Sequence, residues 1–215
     1  MNKFLNKIRS IENEIPITRK IINTILILCF GIVLGTFAKF LDTTASNTLP
    51  FIFEYLDISN FLGRFAIWLL IALYIAIYSH SSIRASLNVL VFFIGMVSSY
   101  YLYSYFVAGF FPKNYAMIWL GFTAISPLLA FVCWYAKGKS KISFILSVII
   151  IAILFKFTFI YGWIYFDVYS ILEVIVFGCA LIALKRNTFR ETTYMILSAV
   201  VIAVILNMLV PFHFG

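Results

Sequence analysis

Long apolar runs, separated by short polar stretches, occupy almost the whole of the chain. Each run has roughly twenty residues, which is the length that an α-helix needs to cross about 30 Å of hydrocarbon. The pattern therefore predicts an all-α, polytopic membrane bundle of seven transmembrane helices. We place these spans at about 21–40, 61–79, 87–111, 115–136, 142–161, 171–186 and 194–211. Because the runs use nearly all of residues 21–215, we expect a single transmembrane domain there.

A different pattern marks residues 1–20, which we treat as a separate N-terminal segment. One helical stripe of this segment is apolar, and the opposite face is charged. The apolar positions are Phe4, Ile8, Ile11 and Ile15. This periodicity predicts an amphipathic helix that lies on the cytoplasmic surface of the membrane and ends at Pro16. A frayed tail is the alternative.

The composition agrees with a membrane protein. Hydrophobic residues make up 64% of the chain and charged residues only 11%, which is far outside the range of soluble globular proteins. The net charge of +8 does not indicate nucleic-acid binding, because the basic residues lie in short loops beside the predicted spans. In the seven-span arrangement, twelve of the sixteen lysines and arginines fall on one side of the membrane. The positive-inside rule therefore predicts a cytoplasmic N-terminus and a C-terminus outside.

The remaining basic residues fall toward the outer side, and Lys156 is buried deepest in the predicted bundle. It lies about five or six residues before the outer end of its span, or roughly 8 Å below the surface at 1.5 Å per residue. A charge at such depth is costly and usually faces a cavity or a partner. We therefore predict an outward-facing polar cavity in which Lys156 pairs with Glu173 or with an anionic ligand.

Several other outer-side residues would line this cavity. The tyrosines of the third span need partners for their hydroxyl groups, and the cavity would supply them. The residues that we expect to contact the ligand are Lys39, Arg64, Tyr100, Tyr101, Tyr105, Lys156 and Glu173. The alternative is a structural network of ion pairs and tyrosines that fixes helix packing, and the residues alone leave both interpretations open.

The first span carries a packing signal close to its lysine. Gly31 and Gly35 form a GxxxG pattern, which indicates close helix packing in lipid. Lys39 continues the same spacing, and Asp42 is near enough along the helix to form a structural ion pair with it. Alternatively, Lys39 extends its side chain to the outer headgroups.

In the fourth span, Pro127 should kink the helix and free a backbone carbonyl for a neighbour or a water.

The sequence contains no recognisable catalytic or metal-binding motif. There is no GxSxG, HExxH or phosphate-binding glycine loop, so common membrane hydrolases and NTPases are not indicated. The three cysteines lie within apolar runs and form no CxxC pair, which argues against a metal site or a disulfide framework. We therefore expect no enzyme, no metal and no cofactor. An acid–base pair of Lys156 and Glu173 would be the one route to a membrane enzyme.

Two neighbouring stretches carry a family resemblance. The segment "FFIGMVSSYYLYSYF", followed by "GFFPKNYAMIWLGFTAISPLLAFVCWYAKGK", resembles a family of small bacterial multi-pass integral membrane proteins to which no function is assigned. The stretch "GIVLGTFAKFLD" shares this likeness, which covers about two-thirds of the chain. The resemblance implies a multi-pass protein of the bacterial plasma membrane and brings no catalytic residues with it.

These observations predict a non-enzymatic membrane protein that binds a small ligand or a lipid headgroup from outside, with a transport-related subunit as its wider role. The alternative is an accessory or immunity-type protein that acts through another membrane protein or a second copy of itself. The N-terminal helix and the GxxxG face would then form the contact. Both interpretations include the lipid bilayer as a partner, and neither includes a nucleic acid.

Overall fold

The computed structural model describes residues 3–11, 15–162 and 164–209. Helices dominate this part of the chain, and a short hairpin is the one sheet within it. The helices are α1 (Lys3–Ile8), α2 (Ile17–Thr43), α3 (Phe51–Tyr55), α4 (Ile58–Gly63), α5 (Phe65–Tyr78), α6 (Ser82–Phe106), α7 (Lys113–Ala136), α8 (Lys141–Thr158), α9 (Ile171–Leu184) and α10 (Phe189–Leu209). A 3₁₀ turn covers Ser46–Thr48, and the strands are β1 (Phe159–Tyr161) and β2 (Phe166–Val168).

Within the described ranges, five helices are long and apolar enough to cross a membrane. They are α2, α6, α7, α8 and α10. The prediction of an all-α chain with membrane-length apolar helices is thereby confirmed. Helices α5 and α9 have 14 residues each. At 1.5 Å per residue they extend for about 21 Å, which is less than the roughly 30 Å of a bilayer core.

The predicted fifth span ends earlier than the sequence suggested. Helix α8 stops at Thr158, and the next three residues form β1, which pairs antiparallel with β2. Phe159 lies opposite Val168 in this pairing. The N–H of Gly162 donates to the carbonyl of Tyr165 at 3.0 Å and closes the turn. The expectation that the helix continues to residue 161 is wrong, because aromatic and β-branched residues in an apolar run suit a strand as well as a helix.

The N-terminal helix is also shorter than predicted. Helix α1 ends at Ile8 rather than at Pro16, and residues 12–14 of the predicted amphipathic helix lie outside the described residues. Pro16 instead precedes the first turn of α2 in an extended conformation. This placement suits proline, since the first turn of a helix needs no N–H donor at that point.

Two compact units make up the chain. Unit 1 comprises Met1–Ser10, Tyr55–Tyr74 and Tyr135–Gly215, and unit 2 comprises Ile11–Glu54 and Ile75–Trp134. Unit 2 therefore contains α2, α6 and α7 up to Trp134, whereas unit 1 contains the last two residues of α7, helices α8, α9 and α10, and the hairpin.

In unit 2, α2 and α6 pack closely through small residues. A Cβ atom at Gly31 would collide with the carbonyl oxygen of Phe92, and one at Gly35 would collide with that of Met96. On α6, Gly95 has similarly little room beside α2. Because the contacted residues rise together along both helices, α2 and α6 are parallel. The GxxxG face is therefore covered within the chain.

Helix α7 accommodates Pro127 through two serines. Pro127 has no N–H group, so the carbonyl of Thr123 loses its helical donor. The hydroxyl of Ser126 donates to this carbonyl at 2.9 Å. From α6, the hydroxyl of Ser86 donates to the carbonyl of Pro127 at 2.8 Å. The carbonyl freed by the proline is thus bound within α7 itself, and a second bond joins α7 to α6.

In unit 1, α9 runs parallel to α5. Arg64, directly before α5, contacts Glu173 in the first turn of α9. Further along α5, the hydroxyl of Tyr74 donates to the carbonyl of Cys179 at 3.0 Å. The contacts again rise together in the two segments, so both helices point the same way.

Helices α8 and α10 of unit 1 form another parallel pair. Beyond the end of α8, the Tyr161 hydroxyl donates to the carbonyl of Ala203 at 2.9 Å, and the Asn207 amide donates to the carbonyl of Tyr161 at 3.1 Å. At the other end, the carbonyl of Ala136 accepts from Ser147, in the first half of α8, and from Arg186, which precedes α10. The beginnings and the ends of these two helices therefore coincide.

Candidate functional site

The residues predicted to form one ligand cavity belong to different units. Unit 2 holds Lys39, Tyr100, Tyr101 and Tyr105, and unit 1 holds Arg64, Lys156 and Glu173.

Lys39 is enclosed by partners from unit 2. Its side chain is only 2% exposed, and its Nζ lies 2.5 Å from Oδ2 of Asp42. The same Nζ lies 5.0 Å from the ring centroid of Tyr100 and 4.6 Å from that of Phe110, distances at which a cation is attracted to a ring face. The Tyr100 hydroxyl donates to Asp42 at 3.2 Å. This arrangement supports the structural alternative for Lys39, because its charge has partners without a ligand.

The other two predicted tyrosines do not converge on Lys39. Tyr101 is buried, and its ring centroid lies 5.6 Å from that of Phe111. Tyr105, one turn further along α6, is 59% exposed. The rings of Tyr100 and Tyr101 are in contact, with centroids 5.2 Å apart, whereas the exposed ring of Tyr105 packs on Phe106.

Glu173 of unit 1 pairs with Arg64. Its side chain is fully buried, and Oε1 lies 3.2 Å from Nη1 of Arg64. The guanidinium of Arg64 also lies over the ring of Tyr169, with its Cζ 4.7 Å from the centroid. Lys156 is buried in the last turn of α8. The sequence suggested Lys156 as the partner of Glu173, but the parallel packing of α5 and α9 brings Arg64 to Glu173.

The start of α9 contains an unusual polar arrangement. Ser170 and Glu173 have the spacing of a capping box, in which each side chain would bind the other residue's N–H. Here Ser170 makes no side-chain cap hydrogen bond. Within the described residues, Ser170 Oγ and Glu173 Oε2 are both buried without a hydrogen-bond partner. The carboxylate of Glu173 thus binds Arg64 in place of the helix terminus.

The larger of the two cavities described here lies in unit 2, at the end of α2 and α6 that is remote from Lys39. It has a volume of about 530 Å³. We call it the Arg84 cavity. Its lining combines cationic and polar side chains with aliphatic ones: Ile15, Arg19, Lys20, Asn23, Leu26, Ile27, Ile75, Tyr78, Ser79, His80, Arg84 and Asn88. Among these described lining residues there is no carboxylate.

A hydrogen-bond network holds Arg84 in this wall. Its Nη2 donates to the carbonyl of Lys20 at 2.7 Å, to the hydroxyl of Thr24 and to Oδ1 of Asn88 at 3.3 Å. The amide of Asn88 in turn donates to the hydroxyl of Ser79 at 3.0 Å. Within the described ranges, Nε and Nη1 of Arg84 have no acceptor. The network therefore occupies Nη2 and leaves the separate N–H donors of Nε and Nη1 available to a ligand.

Sequence reasoning missed this network. It counted Arg84 among the basic loop residues whose distribution orients the chain. One signal was present, since Thr24 follows Lys20 by four residues and Asn88 follows Arg84 by four. Side chains with this spacing lie on the same face of a helix.

No protein-family model, curated protein or solved structure matches the chain. The chemistry of the Arg84 cavity must therefore be inferred from its own geometry. No group of three or more His, Cys, Asp or Glu side chains within the described residues is arranged to hold a metal ion. What the wall offers is a set of cations, amides and hydroxyls beside aliphatic surface, which suits a ligand with an anionic end and an apolar end.

Proposed function

We propose that the chain is a seven-span protein of the bacterial plasma membrane, with its N-terminus cytoplasmic and its C-terminus outside. The three parallel helix pairs support this arrangement. A chain that crosses a membrane alternately gives the same direction to spans one and three, two and six, and five and seven. These spans correspond to α2 and α6, α5 and α9, and α8 and α10. The short helices α5 and α9 would be accommodated by local thinning of the bilayer.

The proposed function is the non-catalytic binding of an anionic amphiphile, and an acidic phospholipid is the ligand class that suits it best. The observation that carries this proposal is the Arg84 cavity, in which three cations meet an aliphatic wall. Its volume of about 530 Å³ falls within the roughly 300–1,000 Å³ of pockets that hold small molecules. In the proposed topology, the cavity opens on the cytoplasmic side, where acidic lipids attract basic groups.

Arginine is well suited to the anionic end of such a ligand. Its planar guanidinium presents several N–H donors that match the oxygens of a phosphate. Because Arg84 is held by Lys20, Thr24 and Asn88, its orientation is set before the ligand binds. Pre-orientation of this kind reduces the entropy lost on binding.

The binding is testable with the full-length protein in a non-ionic detergent. The protein is incubated with phosphatidylglycerol or phosphatidylcholine, and the retained lipid is counted by native mass spectrometry. We expect preferential retention of phosphatidylglycerol and a loss of about fivefold in Arg84→Gln, the effect of one interfacial cation. Arg84→Lys should be intermediate, because it keeps the charge and loses the Nε and Nη1 donors of the guanidinium. Arg190→Gln, at an exposed arginine of unit 1, is the control, and equal retention by wild type and Arg84→Gln would refute the proposal.

The partner-protein alternative has less support. One of its two expected contact surfaces, the GxxxG face, packs on α6 within unit 2. The outer-side charges Lys39 and Glu173 likewise have counter-ions within their own units. Under the present proposal these charges contribute to helix packing, and the ligand binds at the opposite side of the membrane.

A further inference from the structure

A second cavity, in unit 1, is lined by four cations. It has a volume of about 120 Å³. Its lining consists of Lys137, Gly138, Lys139, Leu184, Lys185, Arg186 and Asn187, which come from the α7–α8 connection and from the end of α9 with the turn after it. No carboxylate belongs to this lining. We call this cavity the four-cation cavity.

Two of its cations bind the ends of helices. Lys137 Nζ donates to the carbonyl of Ala183 at 3.1 Å, in the last turn of α9. Arg186 Nη1 donates to the carbonyl of Ala136 at 3.3 Å, the last residue of α7. Cations in these positions interact favourably with the partial negative charge of a helix C-terminus. Helix capping therefore explains why Lys137 and Arg186 lie where they do.

Capping does not account for the remaining positive charge. Lys139 and Lys185 are exposed at the same cavity, and neither forms an ion pair within the described residues. Glu191, the acidic residue nearest to Lys185 in the sequence, also forms no ion pair within the described residues. Nε of Arg186 is buried and has no hydrogen-bond partner in the described chain. A ligand with negative charge and acceptor oxygens would relieve the repulsion and supply that acceptor.

We infer that the four-cation cavity binds a phosphate group. Its volume is well below the roughly 300–1,000 Å³ of pockets for drug-sized ligands, so it suits a single tetrahedral oxyanion rather than a whole nucleotide. The group would belong either to a phospholipid headgroup or to free inorganic phosphate. In the proposed topology both loops are cytoplasmic, and basic pockets between transmembrane helices on that side bind anionic headgroups. This site is separate from the Arg84 cavity and goes beyond the proposed function.

The test uses the full chain and spares the two capping cations. The variant is the double substitution Lys139→Gln and Lys185→Gln. A charge-matched control replaces two exposed cations elsewhere, Lys113→Gln and Arg190→Gln. A second double variant, Lys139→Arg with Lys185→Arg, keeps both charges and should bind like wild type, so that a loss of folding is distinguishable from a loss of the site.

Two assays separate the possible sources of the phosphate group. The first counts phosphatidylglycerol retained from nanodiscs, with phosphatidylcholine nanodiscs as the reference. The second compares Tm in sodium phosphate with Tm in sodium chloride of equal ionic strength. Both assays are repeated with Arg84→Gln in every variant, so that lipid bound in the Arg84 cavity does not obscure the result.

A phospholipid source predicts that the glutamine double variant loses phosphatidylglycerol by about fivefold for each cation removed, with no Tm response to phosphate. A free-phosphate source predicts a rise in Tm in phosphate for wild type and for the charge-matched control, and no rise for the glutamine variant. If the glutamine variant matches wild type in both assays, the inferred site does not exist.

Discussion

Lys137 and Arg186 cap each other's helices. Lys137 follows α7 and binds the carbonyl of Ala183 in α9, whereas Arg186 follows α9 and binds the carbonyl of Ala136 at the end of α7. Each cation thus donates to a carbonyl at the C-terminal end of the other helix. The exchange joins two segments of unit 1 that are far apart in the sequence.

The first prediction concerns this exchange. Arg186→Met should lower the free energy of unfolding by about 1–2 kcal/mol, since it removes a charged hydrogen bond and a favourable helix-end charge. Unfolding in mixed micelles of dodecyl sulfate measures the change. Arg190→Met, at an exposed arginine near the start of α10, should have a smaller effect. An equal effect of both variants would show that the cap contributes no stability.

The glycines of α2 provide a second prediction. Gly35→Ala should destabilise the protein by about 1–3 kcal/mol, because the added methyl group would force α2 and α6 apart. The matched control is Gly121→Ala, also within a helix, where an added Cβ would have no atom within 4 Å. That substitution should be neutral or stabilising, since alanine favours the helix over glycine. Equal thermal stability of the two variants would contradict the close packing of α2 on α6.

The third prediction is an asymmetry between Lys39 and Asp42. Asp42→Asn leaves the buried ammonium of Lys39 without its counter-ion, whereas Lys39→Met removes the charge from the buried side. Removal of one member of a buried pair costs about 3–5 kcal/mol, and replacement by a hydrophobic residue costs much less. Since Asp42 is itself exposed, the loss in Asp42→Asn should lie at the lower end of that range.

Thermal unfolding of both variants checks this asymmetry. The double variant Lys39→Met with Asp42→Asn should recover most of the stability that Asp42→Asn loses. A double variant no more stable than Asp42→Asn would indicate that Asp42 acts independently of Lys39.

The fourth prediction tests the direction of the spans with single cysteines on a cysteine-free background. In intact cells, a membrane-impermeant maleimide should label Asn114→Cys. This residue lies in the first turn of α7, which the proposed topology places outside. It should not label Lys139→Cys or Asn187→Cys until the membrane is permeabilised. Labelling of Asn187→Cys from outside, with Lys139→Cys protected, would show that α9 does not cross the membrane.

The helices were largely predictable because each apolar run is bounded by polar or turn-forming residues. The fourth span, predicted at 115–136, agrees closely with α7 at Lys113–Ala136. The strand at Phe159–Tyr161 could not be distinguished in the same way, since its composition fits either a helix or a strand. The hydrophobic pattern also did not show which helices pack together. Gly31 and Gly35 indicate a close contact, but they do not identify α6 as the partner helix.

The candidate sites were less predictable than the helices. Glu173 and Arg64 lie 109 residues apart in the sequence, and only the parallel packing of α5 and α9 brings them together. Arg84 was interpreted as a residue that sets the orientation of the chain, because the positive-inside rule explains a basic residue in a short loop between spans. Its role in a cavity depends on partners from α2, which the local sequence does not specify.

The parallel contact of α2 with α6 also has a consequence for biosynthesis. Gly31 meets Phe92, a residue made about sixty positions later, so ribosomes working at about 5–20 residues per second need roughly 3–12 s to supply it. During that interval the GxxxG face of α2 has no packing partner from its own chain. In the proposed seven-span topology, the first helix therefore stays in the translocon or in lipid until α6 has been made, and α5 crosses the bilayer before the two helices can pack.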